Sequence, residues 1–367
     1  MDSKIKGRFG FGMMRLPKIG DEINIEETRR MVDYFMANGF NYFDTAYGYL
    51  DKRSEIVIKE VLASRYDRES YVLTDKLTHL YYEREEDIRP LFESQLERTG
   101  VSYFNYYLVH AVKKENIEHY RKTRAFETVR KLKEEGKVRH IGFSFHDQPE
   151  FLDKLLSEFP YVDVVQLQFN YLDFDNPAVR SRECYEVCMR HGKEVIVMEP
   201  VKGGNLASLP LGAVSIIEDL GSSPASLALR FVAGFDWVKM ILSGMSDFSQ
   251  MKENVDTMRA EKRLTSEEEM GLSKIVNTIN GADIIECTAC RYCVEDCPKK
   301  ILIPDLFSCY NSSESAIWDA EGNYSSFTSG GHGKASECIK CGKCERTCPQ
   351  HLPVRKLLEK VASRFEF

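Results

Sequence analysis

Tyr71-Val72-Leu73-Thr74-Asp75-Lys76, a helical pattern over Arg84–Thr99, and then Tyr106-Tyr107-Leu108-Val109-His110 read as one strand–helix–strand unit. Both strands are short apolar runs that close on a polar side chain, Lys76 and His110. Working outward, the same pattern recurs at Phe9–Leu16, Asn41–Thr45, Arg139–Phe143, Asp163–Phe169, Glu194–Met198 and Val238–Leu242. Helical patterns over Glu26–Asn38 and Ala125–Glu135 fall between them, with Asn38-Gly39 and Glu135-Gly136 as stop signals. Eight strands alternating with helices over about 250 residues predict an α/β chain built on a (β/α)8 TIM barrel. An open doubly wound sheet is the alternative, but only the fragment Gly10-Phe11-Gly12 hints at its glycine-rich turn. In a barrel the chemistry sits at the C-terminal ends of the strands. Those ends carry Asp44, Lys76, His110, Ser144 and Gln166, which make a poor core and a good pocket floor.

The other end of the chain is read from its cysteines. Nine of the eleven crowd into residues 287–348. Cys287, Cys290, Cys293 and Cys297-Pro298 form one C-x2-C-x2-C-x3-C-P run, and Cys338, Cys341, Cys344 and Cys348-Pro349 form a second. This is the bacterial ferredoxin spacing, in which the fourth cysteine ligates the other cluster. It predicts two four-iron, four-sulfur clusters, one on Cys287, Cys290, Cys293 and Cys348, the other on Cys338, Cys341, Cys344 and Cys297. Zinc would leave the third and fourth cysteine of each run unexplained. Cys309 fits neither run and is expected as a small buried residue, as are Cys184 and Cys188. A helix start at Ile303–Phe307 and an apolar helical face at Val354, Leu357, Leu358, Val361 and Phe365 predict a mainly α-helical, ferredoxin-like domain over 281–367. The barrel takes 1–280.

Fifty basic against 57 acidic residues, net charge −7, give no footprint for nucleic acid or for an anionic membrane surface. No apolar run is long enough to span a bilayer, and the first residues lack an apolar export segment, so a cytoplasmic protein is expected.

The barrel also resembles a known family. Phe43-Asp44-Thr45-Ala46-Tyr47-Gly48-Tyr49 followed by Ser54-Glu55, Leu73-Thr74-Asp75-Lys76, Tyr107-Leu108-Val109-His110 and Ile141-Gly142-Phe143-Ser144 are similar, in order and spacing, to the aldo-keto reductases. Gln166-Leu167-Gln168-Phe169-Asn170, Glu199-Pro200-Val201-Lys202-Gly203-Gly204 and Ser243-Gly244-Met245-Ser246 continue the match. With its cysteine-rich end, the chain resembles the iron–sulfur subgroup of that family. The resemblance implies a catalytic tetrad of Asp44, Tyr49, Lys76 and His110. Tyr47 is the rival acid, but the family tyrosine stands five residues after the aspartate. It also implies NADPH or NADH near Gly12, Met13, Ser144, Gln166, Asn170, Met198, Gly203, Gly204, Gly244, Met245, Ser246, Gln250 and Asn254. Phe145 stands where many relatives have Asn, and Met198 where an aromatic often stacks on the nicotinamide. Gly244 and Gln250 replace the Lys and Arg that often hold the NADPH 2′-phosphate. Asp147 is expected to cap the helix that begins near Pro149.

The function expected is reduction of a small carbonyl compound, or oxidation of the alcohol, by hydride transfer with Tyr49 as acid and base. A redox carrier protein is a possible partner. Hydride moves two electrons and a cluster one, so two alternatives stand beside it. In one, a ferredoxin-type reductase, the clusters feed single electrons to the pocket without nicotinamide. In the other, the chain is a non-catalytic electron relay.

Overall fold

The computed structural model describes residues 2–281, 283–311 and 319–366. Eight strands close into a parallel barrel: β1 (Phe9–Gly12), β2 (Tyr42–Asp44), β3 (Val72–Leu77), β4 (Phe104–Val112), β5 (Val138–Phe145), β6 (Val164–Gln168), β7 (Glu194–Met198) and β8 (Val238–Gly244). The spatial order is β1-β8-β7-β6-β5-β4-β3-β2, back to β1. All eight expected strands are present. The first is shorter than its sequence pattern suggests: it stops at Gly12, and the chain then turns into a small antiparallel ribbon of Lys18–Ile19 with Glu22–Ile23. That ribbon has no apolar alternation to announce it.

Strand side chains alternate between two faces. Tyr42, Val72, Tyr106, Leu108, Val164 and Met240 pack with one another as one cluster inside the barrel. Their neighbours Phe43, Leu73, Tyr107, Val109, Phe143 and Val165 belong to the larger core between strands and helices. The helices are set by local chemistry. Asn24 caps Ile25–Ala37 by accepting from the Glu27 N–H, and Gly100 at φ 72° ends Glu85–Thr99. Helix Pro149–Glu158 starts with Gln148 at its N-cap, one residue later than expected. Asp147 instead accepts from the backbone N–H groups of Gln148 (2.7 Å) and Lys114 (2.8 Å).

By contacts the chain divides into two units, Met1–Val201 with Ser222–Glu269, and Lys202–Gly221 with Met270–Phe367. The second unit thus includes the segment after β7 as well as the cysteine-rich end, a grouping that no local pattern reveals. Its described elements are all helical, the longest at the end of the chain being Val354–Phe365. Ile301, Leu306, Phe307, Leu358 and Val361 form its core.

Gly142 is where the barrel wall is tightest. A Cβ there would stand 2.1 Å from the Val164 carbonyl oxygen and 2.8 Å from Val164 Cγ2. Gly142→Ala is expected to destabilise the protein by about 1–3 kcal/mol through overpacking, measured as a lower urea midpoint at unchanged m-value.

Candidate active site and cluster sites

Alternation sends Asp44 along with Tyr42, Lys76 with Val72, and His110 with Leu108, all toward the barrel interior at its C-terminal mouth. Lys76 is 0% and Asp44 4% exposed. Lys76 Nζ donates to Asp44 Oδ1 at 2.6 Å and to the Thr45 carbonyl at 2.7 Å, and Gln166 Nε2 donates to Asp44 Oδ2 at 3.2 Å. Burial pushes the Asp44 carboxyl up, while the Lys76 ammonium and these hydrogen bonds oppose it. An ammonium has three N–H groups, so one remains beyond Asp44 and Thr45.

Tyr49 lies beside this ammonium. Its ring centre is 4.8 Å from Lys76 Nζ and 5.9 Å from the His110 ring, edge to face. Tyr47 is elsewhere, 4.8 Å from the Tyr81 ring and with the Arg98 guanidinium 5.0 Å over its face. The turn after Tyr49 holds three successive left-handed residues, Leu50 (φ 53°), Asp51 (φ 55°) and Lys52 (φ 64°). Each costs about 1–2 kcal/mol. Arg98, which donates to the Lys52 carbonyl, holds the turn in place.

His110 is held from two sides. Its Nδ1 is 2.7 Å from Thr78 Oγ1, and its carbonyl accepts from the Tyr120 hydroxyl at 2.5 Å. Burial, then the Lys76 charge, drive its basicity well below the ordinary imidazole value, so the ring is neutral. With Thr78 donating to Nδ1, the N–H lies on Nε2. Thr78 and Tyr120 carry no sequence signal for this role.

The expected cofactor residues in the barrel unit divide into two groups. Gly12 lies in register with both Asp44 and Gly244. Ser144 Oγ accepts from the Ala111 N–H at 2.7 Å and keeps its own hydrogen to donate, and Gln166 keeps its carbonyl. Met198 is half-buried and Met13 and Met245 are buried. Asn170 is fully engaged: its amide donates to Asp173 Oδ2 and the Glu199 carbonyl, and its carbonyl accepts from the Leu172 and Asp173 N–H groups. Ser246 Oγ donates to the Arg15 carbonyl, Gln250 holds the Ser246 N–H, and Asn254 donates to Ser243 Oγ. Gly203 and Gly204 belong to the second unit, where Gly203 packs on Thr288.

Behind the strands is a polar cluster that the sequence does not announce. Glu55 and Asp75 are both 0% exposed. Gln95 Nε2 donates to Glu55 Oε1 (3.1 Å) and to Asp75 Oδ1 (3.0 Å), and its Oε1 accepts from the Tyr107 hydroxyl (2.6 Å). Lys76 N–H also donates to Asp75 Oδ1. Arg98 Nε pairs with Glu55, while Asp75 Oδ2 is buried with no partner. Arg98 thus pairs with Glu55, and among the described residues no cation pairs with Asp75. Burial and then the neighbouring Glu55 charge raise Asp75 well above the usual carboxylate range, and burial raises Glu55.

In the second unit two cavities of similar size, about 20 Å³ each, are each lined by four cysteines. Cys287, Cys290, Cys293 and Cys348 line one, and Cys297, Cys338, Cys341 and Cys344 the other. The two runs share their backbone twist. Ala289 (φ 51°) matches Lys340 (φ 56°), Arg291 (66°) matches Gly342 (73°), and Lys300 (50°) matches His351 (52°). Such left-handed residues turn successive N–H groups inward, a shape suited to anionic groups, and the Ala289 N–H points to Cys287 Sγ at 3.4 Å. Cys184, Cys188 and Cys309 are buried, and burial pushes the Cys184 thiol up to about 12.

The buried proton at Asp75 has a consequence for stability. A folded-state pKa above the unfolded value of about 3.9 makes stability fall as pH rises through the folded pKa, by about 1.4 kcal/mol per pH unit for one proton. Asp75→Asn removes that loss. Its melting temperature relative to the unsubstituted protein should rise between pH 4 and 8; a pH-independent difference would show that Asp75 is ionised.

Comparison with known proteins agrees with this architecture. The family model of the aldo/keto reductases matches residues 8–277, and that of the 4Fe-4S dicluster domain matches 286–353. An aldo-keto reductase of Mycolicibacterium smegmatis is 28% identical over 56% of this chain and 70% of its own. A glyoxal reductase of Bacillus subtilis is 27% identical over 61% of this chain and 73% of its own. The solved structure of an aldo-keto reductase from Bacillus halodurans in its holo form superposes with a TM-score of 0.60 at 24% identity, covering 73% of this chain and 91% of that one. The chain belongs to the aldo/keto reductase family, an oxidoreductase barrel followed by a 4Fe-4S dicluster domain.

Proposed function

We propose that this protein reduces a small aldehyde or ketone with NADPH or NADH, with Tyr49 as the proton donor, and carries two 4Fe-4S clusters on its eight paired cysteines. The observation that carries the reading is the fully buried Lys76 ammonium, fixed by Asp44 and Thr45 with the centre of the Tyr49 ring 4.8 Å from its Nζ. A phenol of ordinary pKa near 10 is a reluctant acid, and a neighbouring ammonium stabilises the phenolate it leaves behind. His110, held neutral by burial, donates from Nε2 to the carbonyl oxygen as negative charge develops there when Thr78 donates to its Nδ1. Asp44 fixes Lys76 and is itself held by Gln166. A bound nicotinamide supplies the hydride to the carbonyl carbon. Ser144 and Gln166, with an O–H and a carbonyl to spare, suit its carboxamide. Gly12, Met13, Met198, Gly244 and Met245 line its approach, while Asn170 shapes the loop behind. The relative named a glyoxal reductase points to a small, reactive aldehyde as the substrate class.

Four thiolates around each of two matching cavities are the donor set of a cubane cluster, and the crossed grouping is the one the ferredoxin spacing demands. The clusters would supply one-electron chemistry when bound, and a redox carrier protein in the cytoplasm would be the matching partner. One observation favours the second reading, in which clusters feed the pocket directly: the segment after β7, a barrel connection, packs with the cluster domain.

Anaerobic titration of the reconstituted protein with NADPH and NADH, following cluster absorbance and nicotinamide together, separates the readings. Nucleotide binding with oxidised clusters is expected. Bleaching of the clusters would require a two-electron to one-electron converter, and absence of binding would overturn the nicotinamide assignment. With glyoxal as substrate, Tyr49→Phe should lower kcat about 10²–10⁴-fold without changing nucleotide binding. A similar loss in Tyr47→Phe with none in Tyr49→Phe would reverse the assignment of the acid.

A further inference from the structure

The segment that follows β7 behaves as part of the cluster domain. Lys202 is 1% exposed, and its Nζ is 3.3 Å from Glu286 Oε2, next in sequence to Cys287. Asn205 Nδ2 donates to the carbonyl of Cys287 itself at 3.0 Å. Between them Gly203, at φ +66°, is so close to the first cysteine run that a Cβ would stand 2.5 Å from the Thr288 carbonyl oxygen. Thr288 lines the cavity of Cys287, Cys290, Cys293 and Cys348. The three contacts therefore fall on three successive residues, of which Cys287 and Thr288 line the cavity and Glu286 directly precedes them.

The backbone is distorted to make this fit. Lys202 (φ 46°), Gly203 (66°) and Gly204 (106°) are all left-handed. For lysine this is costly, and such a conformation persists where its surroundings determine it. Here the surroundings are the pairing of the buried Lys202 with the half-buried Glu286 and the close approach of Gly203. A buried ammonium is also expensive unless paired, so its placement in this wall calls for a function beyond packing.

We propose that Lys202 and Glu286 are positioning residues of the cluster held by Cys287, Cys290, Cys293 and Cys348, and that their charges set its reduction potential independently of the other cluster. The proposal rests on the cluster reading above. Reduction adds an electron to an already anionic cluster. A nearby ammonium therefore favours the reduced state, and a nearby carboxylate favours the oxidised one. Net charge and hydrogen bonding around the sulfurs are among the factors that set such potentials. The two residues carry opposite charges, so removing one or the other shifts the potential in opposite directions. Neither residue lines either cavity; the contacts of this segment fall beside Cys287 and Thr288, which line the first.

The test is a potentiometric titration of the full-length, reconstituted protein followed by electron paramagnetic resonance, after iron and sulfide are measured. Lys202→Met should lower one of the two potentials and Glu286→Gln should raise the same one. Each is expected to change the reduction equilibrium about tenfold, which is about 59 mV for one electron. The other potential should stay put, and Lys202→Arg should restore the original value. Should Lys202→Met fail to fold, the Glu286→Gln shift alone decides the matter. Equal shifts of both clusters, shifts of the same sign in the two variants, or none with full iron content would overturn the proposal. Unsubstituted protein that binds fewer than eight irons would instead overturn the cluster reading on which it stands.

Discussion

Everything in the barrel mouth depends on a charged lysine kept out of water. Lys76 has no solvent contact, and taking an ammonium into such a place costs several kcal/mol unless a partner meets it in good geometry. That requirement fixes more than a side chain. Asp44 and Lys76 lie on adjacent strands in a register that pairs Asp44 with Thr74, two residues before the lysine and on the same face. A slip of one residue would turn Lys76 outward and Asp75 inward, and the pocket would lose its cation. The ion pair and the strand register therefore specify each other. Removing either partner would leave an uncompensated buried charge, which makes the pair an unforgiving element of the fold as well as of the site.

The outward face of the same strand solves the same problem differently. Asp75 and Glu55 are also shut off from water, with Gln95 between them and Arg98 on Glu55. Two carboxylates and one guanidinium would leave a net negative charge beside the lysine. Burial and the Glu55 charge raise the Asp75 carboxyl, which favours its protonated form and so relieves that charge. The outer cluster also ties the helix that begins at Ser54 to the strand that carries Lys76, and Arg98 anchors the left-handed turn after Tyr49. The position of Tyr49 is thus held from behind the wall.

Much of this was legible in the sequence because it is written in local periods. Two-residue alternation ending in Asp44, Lys76 and His110 gave strands, faces and pocket at once, and the repeated cysteine spacing gave two quartets that share out their fourth members as expected. What stayed hidden is contact across distance. Thr78 and Tyr120 around His110, and Gln95 between two carboxyls, lie in patterns that read as ordinary strand end or helix. The ribbon at Lys18–Ile23 is too short for any period to show. Gly203 and Gly204 stand among the residues that the family resemblance implies near the nucleotide. Left-handed glycine does permit close backbone approach, but the sequence cannot say to what; in the structure, Gly203 approaches Thr288.

That last point bears on how a two-electron pocket and one-electron clusters come to share a chain. Residues 199–202 run directly from the end of β7 into the wall behind Cys287, with Glu199 (φ 57°) and Lys202 (φ 46°) both left-handed. Glu199 accepts from Asn170, whose other bonds organise the loop after β6. A change in charge on the first cluster would act on Lys202 and Glu286 by Coulomb force, and Lys202 is three residues along the backbone from Glu199. The chain leaving β7 is therefore held at both ends of this short stretch, at Glu199 by Asn170 and at Lys202 by Glu286.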